Sequence, residues 1–512
     1  MRARATLATL AVGALAVTGL FGNSSAKPAG QAAKPRPVAA VSRPNILLIT
    51  ADDLAVSDLA YMPNTRRLLA NEGVTFSDAI APTPLCVPAR ASLLTGQYAH
   101  NHNDRTISGP YGGYQAFDDH DTIATALQEA GYQTLFTGKY LNGYGKDGTA
   151  MAVPAGWNQW RATVDPSTYR FIDPKLNING ALQRETGYTT DVMTRQSDLM
   201  LRGAAKTAKH TGKPWFEWLN YVAPHVGGPA GADDPIKTEK GTDAAFKVTV
   251  PAKRDRGRYA DIQLPTTPNM FPEQSNDFPP RSPRHRRFSA RQKGALRIVY
   301  ERRLEAATGL DRAVGHDLRT LRRTHQLANT LIIFTSDNGY TVGGGNINGK
   351  LWHYDDILSI PVIMRGPGVP RGTTTRTPIT NPYIAATILA VAHATAPRPL
   401  DGVDLMPWLD RPAQLRVIPI EAWRLADGTK QLYWGVRAGA WTYAKLRGGD
   451  ELFDRSTDPY ELHNLAADPA YHDTLIRLRA LARQYRTCAG DSCPKTFTPL
   501  TSPDQLPAAG AA

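Results

Sequence analysis

The sequence of 512 residues predicts an α/β fold: a large, mainly parallel sheet flanked by helices, followed by a smaller C-terminal α+β domain with an antiparallel sheet. Two observations predict it. Short continuous apolar runs, typical of strands covered on both faces, alternate with helix-like stretches from residue 43 to about 400. From about residue 411 several strand-like segments follow one another before a single helix. The composition, 42% hydrophobic and 21% charged, is that of a globular protein with a large core.

The first 26 residues have the features of a secretory signal peptide. Two arginines precede an apolar region, Thr6–Phe21, and a small-residue cleavage site follows it. The apolar run is too short and too rich in Ala and Gly to predict a membrane span, with a retained anchor as the alternative. Residues 27–42 predict a disordered linker. We therefore expect a secreted mature protein without a transmembrane segment.

Four apolar runs in the catalytic-sized region 43–410 predict buried strands that end just before polar residues. They are Asn45–Thr50 before Asp52 and Asp53, Gln133–Phe136 before Lys139, Trp215–Val222 before His225, and Leu331–Thr335 before Asp337 and Asn338. Open α/β sheets bind ligands at the carboxyl ends of their strands. We therefore expect these polar residues at one edge of the sheet, around a functional site.

Helical periodicity predicts helices at Asp121–Ala130, 291–325 and Pro382–His393. Residues 226–290, rich in Pro, Gly and charge, predict a long surface excursion near the site. The basic run Arg281–Arg291 within it predicts a solvated loop, with a polyanion-binding loop as the alternative; no nucleic-acid-binding module accompanies it. The net charge of +13 suits anionic substrates or serves solubility.

The region 411–493 predicts the C-terminal α+β subdomain. Its predicted elements are strands at Gln431–Val436, Ala440–Leu446 and Glu451–Phe453 and a closing helix at Tyr471–Tyr485. Residues 494–512 predict a disordered tail. Cys488 and Cys493 lie close together in an exported chain, which favours a disulfide bond between them. Cys86 is then the odd cysteine and a candidate reactive thiol.

The polar residues at the strand ends include four oxygen donors: Asp52, Asp53, Asp337 and Asn338. Hard oxygen ligands favour Ca²⁺, or Mg²⁺ in a tight site, and no His/Cys cluster suited to zinc accompanies them. Strand-end Asp and Asn residues also make turns, which is the alternative. Two such pairs after separate buried strands favour a metal site.

Cys86 opens a second candidate feature, the segment Cys86-Val-Pro-Ala-Arg90. Pro88 can occupy the first turn of a helix, which places Cys86 at or just before the helix N-terminus. Such an end attracts anions through its free N–H groups. Positive charge to hold an anion is available from Arg90, Lys139, Lys350 and His225.

The segment Cys86–Arg90, with Leu94-Thr95-Gly96 behind it, resembles the sulfatase signature. Other matching segments are Arg43–Leu47, Gly96–Asn103, Gly138–Asn142, Ala223–His225, Thr335–Tyr340 and Asp458–Leu465. From residue 43 to about 490 the chain resembles the sulfatases of the alkaline-phosphatase superfamily. It is most similar to the branch of N-acetylglucosamine-6-sulfatases and extracellular heparan endosulfatases.

The resemblance implies a role for each matching residue. A formylglycine-generating enzyme would oxidise Cys86 to formylglycine, whose hydrate is the nucleophile. Asp52, Asp53, Asp337 and Asn338, with residue 86, would hold one Ca²⁺ ion. Arg90 would orient the formylglycine, while Lys139, His225 and Lys350 would hold the sulfate and assist the leaving oxygen. His100 and His102 fall in a branch motif and receive no role.

The implied function is a secreted sulfatase acting on sulfate monoesters of a sugar, of the N-acetylglucosamine 6-sulfate type, or on an aryl sulfate. Thr341 and the glycines after it differ from the branch pattern and predict a reshaped pocket. A phosphodiesterase or phosphonate monoester hydrolase on the same site is one alternative. An inactive, calcium-stabilised glycan-binding protein with unmodified Cys86 is another.

Overall fold

The computed structural model describes residues 43–235, 246–273, 275–502 and 505–506. The predicted signal peptide (1–26) and linker (27–42) lie outside them. In the described residues the helices are α1 Pro63–Leu68, α2 Cys86–Thr95, α3 Ala99–His102, α4 Ile123–Glu129, α5 Thr189–Thr211, α6 Ala290–Arg323, α7 Asp355–Leu358, α8 Asn381–Ala392 and α9 His472–Tyr485. The strands are β1 Asn45–Asp52, β2 Val74–Phe76, β3 Ala79–Ile80, β4 Gln133–Gly138, β5 Gln159–Thr163, β6 Lys175–Ile178, β7 Ala181–Arg184, β8 Trp215–Pro224, β9 Thr330–Ser336, β10 Thr341–Val342, β11 Asn348–Gly349, β12 Val362–Arg365, β13 Thr373–Thr375, β14 Ile379–Thr380, β15 Gln414–Leu415, β16 Val417–Trp423, β17 Gln431–Ala438, β18 Trp441–Leu446, β19 Gly449–Asp454 and β20 Thr498–Pro499.

The largest sheet has ten strands in the order β13-β2-β12-β9-β1-β8-β4-β5-β6-β7. Its five central strands, from β9 to β5, are parallel to their neighbours. Antiparallel pairs occur towards both margins, where β12 lies between β9 and β2, and where β6 and β7 follow β5. The predicted large, mainly parallel sheet is therefore confirmed.

The central strands are apolar along their length because helices cover both faces of the sheet. In β1, Ile46 and Leu48 pack into one core cluster, and Leu47 and Ile49 pack into the other. Helices α2, α4 and α8 contribute to the first cluster, and α5 and α6 to the second. Burying each such side chain stabilises the fold by roughly 1.5–3 kcal/mol. One sequence run thus supplies two cores, which is why it shows no alternation.

The C-terminal region contains a four-stranded antiparallel sheet, β16-β17-β18-β19, with consecutive strands adjacent. Helix α9 closes this region, and its buried Leu475 and Leu478 share a core cluster with Val436 and Tyr443 of the sheet. The predicted antiparallel sheet and closing helix are confirmed, with β16 as an additional strand. The residues described from Arg43 onward belong to one compact unit, and the boundary at 410/411 stays a prediction.

Two segments differ from the sequence-based expectation. The described part of 226–290 holds no α-helix or β-strand, but it isn't confined to the surface, because Val250 and Ala252 are buried in a core cluster. Residues 494–502, predicted as part of a disordered tail, include strand β20, which pairs with β15. There Arg416 donates to the Pro494 and Lys495 carbonyl oxygens, so a buried guanidinium holds this stretch against the fold.

A membrane-spanning helix is absent from the described ranges, where every helix is too short or too polar to cross a bilayer.

Candidate active site

Cys86 is the first residue of α2, and its side chain is buried. The Cys86 Sγ lies 3.3 Å from Asp52 Oδ1 and 2.7 Å from Lys350 Nζ. Burial, with the Asp52 carboxylate, raises the pKa of the Cys86 thiol to about 12. A thiol is nucleophilic as its thiolate. The cysteine is therefore protonated and inert at neutral pH, although polar groups surround it.

The four predicted oxygen donors meet where two neighbouring strands end. Asp52 is the last residue of β1, and Asp53 follows it with a left-handed φ of 67°, which Asp tolerates better than most residues. Asp337 and Asn338 follow β9, the parallel neighbour of β1. The Asp53 N–H donates to Asp337 Oδ1 (3.2 Å), and Asn338 Nδ2 donates to Asp53 Oδ1 (2.7 Å).

One donor atom from each of Asp52, Asp53, Cys86 and His225 lies within 4.8 Å of the others. Burial opposes ionisation of Asp52, but the nearby cations, Lys139 foremost, outweigh it and hold the pKa of that carboxyl well below its usual range. Asp53 is also lowered against burial, by Lys350 and His225. Both carboxylates are thus charged in the interior, an arrangement that needs compensating positive charge.

The compensating charges come from two lysines. Lys139 follows β4, and its ammonium donates to Asp52 Oδ2 at 2.6 Å. Lys350 follows β11, and its ammonium contacts Asp53 Oδ1 directly. Lys350 therefore bridges Asp53 and the Cys86 sulfur.

His225 follows β8, the other parallel neighbour of β1. Its Nδ1 lies 2.7 Å from the Val226 carbonyl oxygen, so Nδ1 carries the hydrogen. Its Nε2 faces the cluster, 3.7 Å from Asp53 Oδ2. Burial lowers the pKa of His225 despite the two aspartates. The ring thus presents Nε2 as the atom that exchanges a proton or a hydrogen bond.

Arg90 lies one turn into α2 and is completely buried. Its Nε donates to Asp337 Oδ2, and its Nη1 donates to the Lys139 carbonyl and to Asn220 Oδ1, all at 2.9 Å. The ion pair with Arg90 counters burial and Asp52, which raise the pKa of Asp337 to about 6. Arg90 therefore ties α2 to the ends of β4, β8 and β9.

All the predicted catalytic and metal-ligating residues lie in this one cluster, but three further participants had no prediction. Asn220 holds Arg90, and it was detectable as the amide inside the apolar run of β8, since buried polar groups need partners. Arg303 of α6 donates to the Asp53 carbonyl oxygen (2.6 Å) and to Asp58 (2.9 Å). Tyr169 packs against Lys139 and His225. Neither Arg303 nor Tyr169 stands out from neighbouring residues of its type.

The branch-motif histidines lie elsewhere and have structural partners. His100 Nδ1 is 2.9 Å from the Glu421 carboxylate on β16, and its Nε2 is 2.8 Å from the Cys488 carbonyl oxygen. His102 Nε2 contacts Ser92 Oγ at 3.1 Å. Cys488 and Cys493 form a disulfide bond. The two histidines therefore attach α3 to the C-terminal region and to α2.

The basic run 281–291 contains one deeply buried member. Arg284 stacks on the Tyr354 ring at 4.0 Å, whereas Arg281, Arg287 and Arg291 are exposed. Arg284 thus takes part in packing, in contrast to the solvated loop that the sequence predicts for the whole run.

The comparisons with known proteins agree with this geometry. The family model described as "Sulfatase" matches residues 44–394, and the model described as "N-sulphoglucosamine sulphohydrolase, C-terminal" matches residues 345–487.

Two curated relatives are similar to most of the chain. The putative extracellular sulfatase Sulf-1 homolog of Caenorhabditis elegans is 32% identical over 381 residues, which cover 71% of this chain and 49% of that protein. The chain thus spans about half the length of this relative. The N-acetylglucosamine-6-sulfatase of Capra hircus is 27% identical over 526 residues, covering 89% of this chain and 86% of that protein.

Among solved structures, BT4656 in complex with D-glucosamine-2-N,6-O-disulfate has a TM-score of 0.69 and 20% identity. The match covers 86% of this chain and 97% of that one. At this identity the similarity establishes a shared fold.

Proposed function

The chain belongs to the sulfatase family, and we propose that it is a secreted hydrolase of sulfate monoesters, of the sugar N-acetylglucosamine 6-sulfate type. One observation carries the proposal. Four cationic side chains and three carboxylates surround residue 86 at the N-terminus of a buried helix. The cations are Lys139, Lys350, His225 and Arg90; the carboxylates are Asp52, Asp53 and Asp337.

The cations suit an anionic ester group. Lys139 and Lys350 reach the region of Cys86 from opposite sides of the Asp52–Asp53 pair. The N-terminus of α2 adds its N–H groups and its dipole. Buried positive charge stabilises the transferring sulfuryl group more effectively than it would in water.

The donor set fits a hard divalent cation such as Ca²⁺. Asp52, Asp53, Asp337 and Asn338 supply oxygen ligands, which Ca²⁺ prefers. Two adjacent buried carboxylates, Asp52 and Asp53, repel each other, and a cation between them relieves that repulsion. When bound, the ion would polarise the nucleophile and offset charge on the transferring group.

Residue 86 is the proposed nucleophile after oxidation to formylglycine, because the protonated thiol is inert. The hydrate of that aldehyde offers two hydroxyls on one carbon, one to attack sulfur and one to expel the sulfate afterwards. Asp52 Oδ1 and the Lys350 ammonium are the groups next to this position. Asp52 is placed to accept a hydrogen bond from a hydroxyl there, and Lys350 is placed to donate one.

His225 is proposed to assist the leaving oxygen through Nε2, since Nδ1 is engaged with Val226. In the net reaction one S–O bond of the ester breaks, water supplies the new oxygen on sulfur, and the leaving alcohol takes up a proton. His225 donates to the leaving oxygen, so that a sugar alcohol need not depart as an alkoxide.

The sugar and the export route follow from the relatives and the N-terminus. The printed names of the relatives include an N-acetylglucosamine-6-sulfatase and an extracellular sulfatase homolog. The signal-like first 26 residues support secretion. Export of the full chain with loss of those residues, measured by mass spectrometry of the medium, tests this part.

The experiment that tests the activity compares sulfate, phosphate and phosphonate esters of one phenol. We expect kcat/KM for the sulfate to exceed the others by at least about 100-fold, because the leaving group is constant and only the transferred group changes. A preference for the phosphorus esters would assign the site to phosphodiester or phosphonate hydrolysis. Absence of turnover in protein with formylglycine at residue 86 would favour a glycan-binding protein.

A further inference from the structure

Tyr169 lies beside two of the residues proposed to act on the sulfate group. It belongs to the short 3₁₀ turn Ser167–Tyr169, which connects β5 and β6. Its ring centroid is 4.7 Å from that of His225, with the planes tilted by 36°. The Lys139 ammonium lies 5.1 Å from the same ring centroid. One aromatic ring therefore touches the two side chains that follow β4 and β8.

The ring itself is fixed by its hydroxyl group. Asn142 Nδ2 donates to the Tyr169 hydroxyl oxygen at 2.9 Å. Asn142 lies three residues after Lys139, so the loop that begins with Lys139 also holds the tyrosine. The ring is thus anchored at its far end, while its face is available to Lys139 and His225.

The backbone after His225 is attached to the same turn. The Gly228 N–H donates to the Tyr169 carbonyl oxygen (2.9 Å), and the Phe171 N–H donates to the Gly228 carbonyl oxygen (2.8 Å). A Cβ atom at Gly227 would lie 2.5 Å from the Tyr169 carbonyl oxygen and equally close to the Phe171 ring. The two segments are therefore packed too closely for one to move without the other.

We infer that Tyr169 is a positioning residue, which holds the His225 ring with Nε2 towards Asp53 and holds the Lys139 ammonium on Asp52. This inference rests on the proposed function. An ammonium over an aromatic face is attracted by the ring, and stacking restricts the tilt of the imidazole. A small displacement of a group that assists the leaving oxygen costs rate in proportion to how much the leaving oxygen needs it.

The test measures kcat/KM of the full-length, formylglycine-containing protein on aryl sulfates, from 4-nitrophenyl sulfate to phenyl sulfate. We expect Tyr169→Leu to lower the phenyl sulfate value by roughly 100-fold and the 4-nitrophenyl value by less than about 10-fold, because nitrophenolate leaves without a proton. Tyr169→Phe keeps the ring and should stay within about threefold of wild type on both substrates.

The matched control is Tyr188→Leu. Tyr188 packs on Phe171 and donates to the Val250 carbonyl oxygen at 2.9 Å, in the same region but away from Lys139 and His225. Its loss should change both substrates by one common factor. If Tyr169→Leu also lowers both by a common factor, or Tyr169→Phe is as impaired as Tyr169→Leu, the positioning role is overturned.

A crystal structure of Tyr169→Leu gives a second readout that does not depend on turnover. We expect the His225 ring to leave its position against Asp53; an unchanged ring overturns the inference. If the wild-type protein hydrolyses no sulfate ester, the proposed function fails, and this structure still decides whether Tyr169 positions His225.

Discussion

His100 and Glu421 form a buried ion pair between α3 and β16, with His100 Nδ1 2.9 Å from both carboxylate oxygens. Burial alone would lower the pKa of His100, but Glu421 and the Cys488 carbonyl raise it to about 9. An unfolded histidine titrates near 6.5. The folded protein therefore binds this proton more tightly than the unfolded chain does.

The first prediction concerns pH and stability. Because the folded pKa is raised, the stabilisation from protonated His100 is fully present below about pH 6.5 and is lost as the pH rises towards about 9. It amounts to roughly 2–3 kcal/mol at most. His100→Gln should flatten the fall in unfolding free energy over that window, measured by denaturant titration at each pH. His463→Gln, at an exposed position, should leave the slope unchanged.

The second prediction concerns residue 86. An active preparation should carry formylglycine there, visible in the mass of the peptide, and Cys86→Ala should lower turnover at least about 1,000-fold because the nucleophile is gone. Cys86→Ala should keep its melting temperature within a few degrees, since alanine fits a helix start inside a core. Wild-type rates in Cys86→Ala protein would refute the covalent mechanism.

The third prediction concerns calcium. Removing it with a chelator should abolish activity and lower the melting temperature, because a ligand at 100 times its Kd stabilises the folded state by about 2.7 kcal/mol. Added Ca²⁺ should restore both. Asp52→Asn should remove this response to calcium, which differential scanning calorimetry measures.

Asp311→Asn provides the control for the calcium experiment. Asp311 is also a buried carboxylate, but it accepts from the Thr65 N–H and hydroxyl at the start of α1. Its variant should melt lower than wild type and still gain the full stabilisation on adding calcium. A melting temperature that ignores both chelator and calcium in the wild type would mean that the carboxylates bind no ion.

The fourth prediction concerns the substrate. We expect kcat/KM on N-acetylglucosamine 6-sulfate to exceed that on galactose sulfates and on a simple aryl sulfate, because a pocket built to hydrogen-bond a sugar leaves polar groups unpaired with other substrates. Thr341 and the glycines after it reshape one wall, so the margin over galactose sulfates should be the smaller. Turnover of the aryl ester alone would remove the glycan assignment and leave the sulfatase assignment in place.

Much of the site follows from sequence because its residues occupy strand ends. Asp53, Lys139 and His225 each follow a continuous apolar run, and parallel strands bring their carboxyl ends to one edge. Lys350 lies on a glycine-rich hairpin without such a marker, and its place came from family resemblance. These residues could be assembled before any coordinates because one rule of topology covers most of them.

The remainder depends on packing between distant segments. Arg303 is one arginine among many on α6, and only the approach of that helix to β1 selects it. Tyr169 reaches the site because its turn lies against the chain after His225. In the C-terminal tail, the strand β20 escaped prediction because a partner strand more than 80 residues away orders it. No local pattern encodes such contacts.

The burial of Cys86 sets an order of events in the life of the protein. Only 2% of the residue is exposed, and Val87, Pro88 and Ala89 around it are buried as well. An oxidising enzyme cannot engage this segment once α2 has docked. Maturation must therefore precede folding, while the chain emerges and before β9, some 250 residues downstream, arrives to close the site. A molecule that folds first is trapped as an inert thiol, so the yield of active protein is a race between two rates.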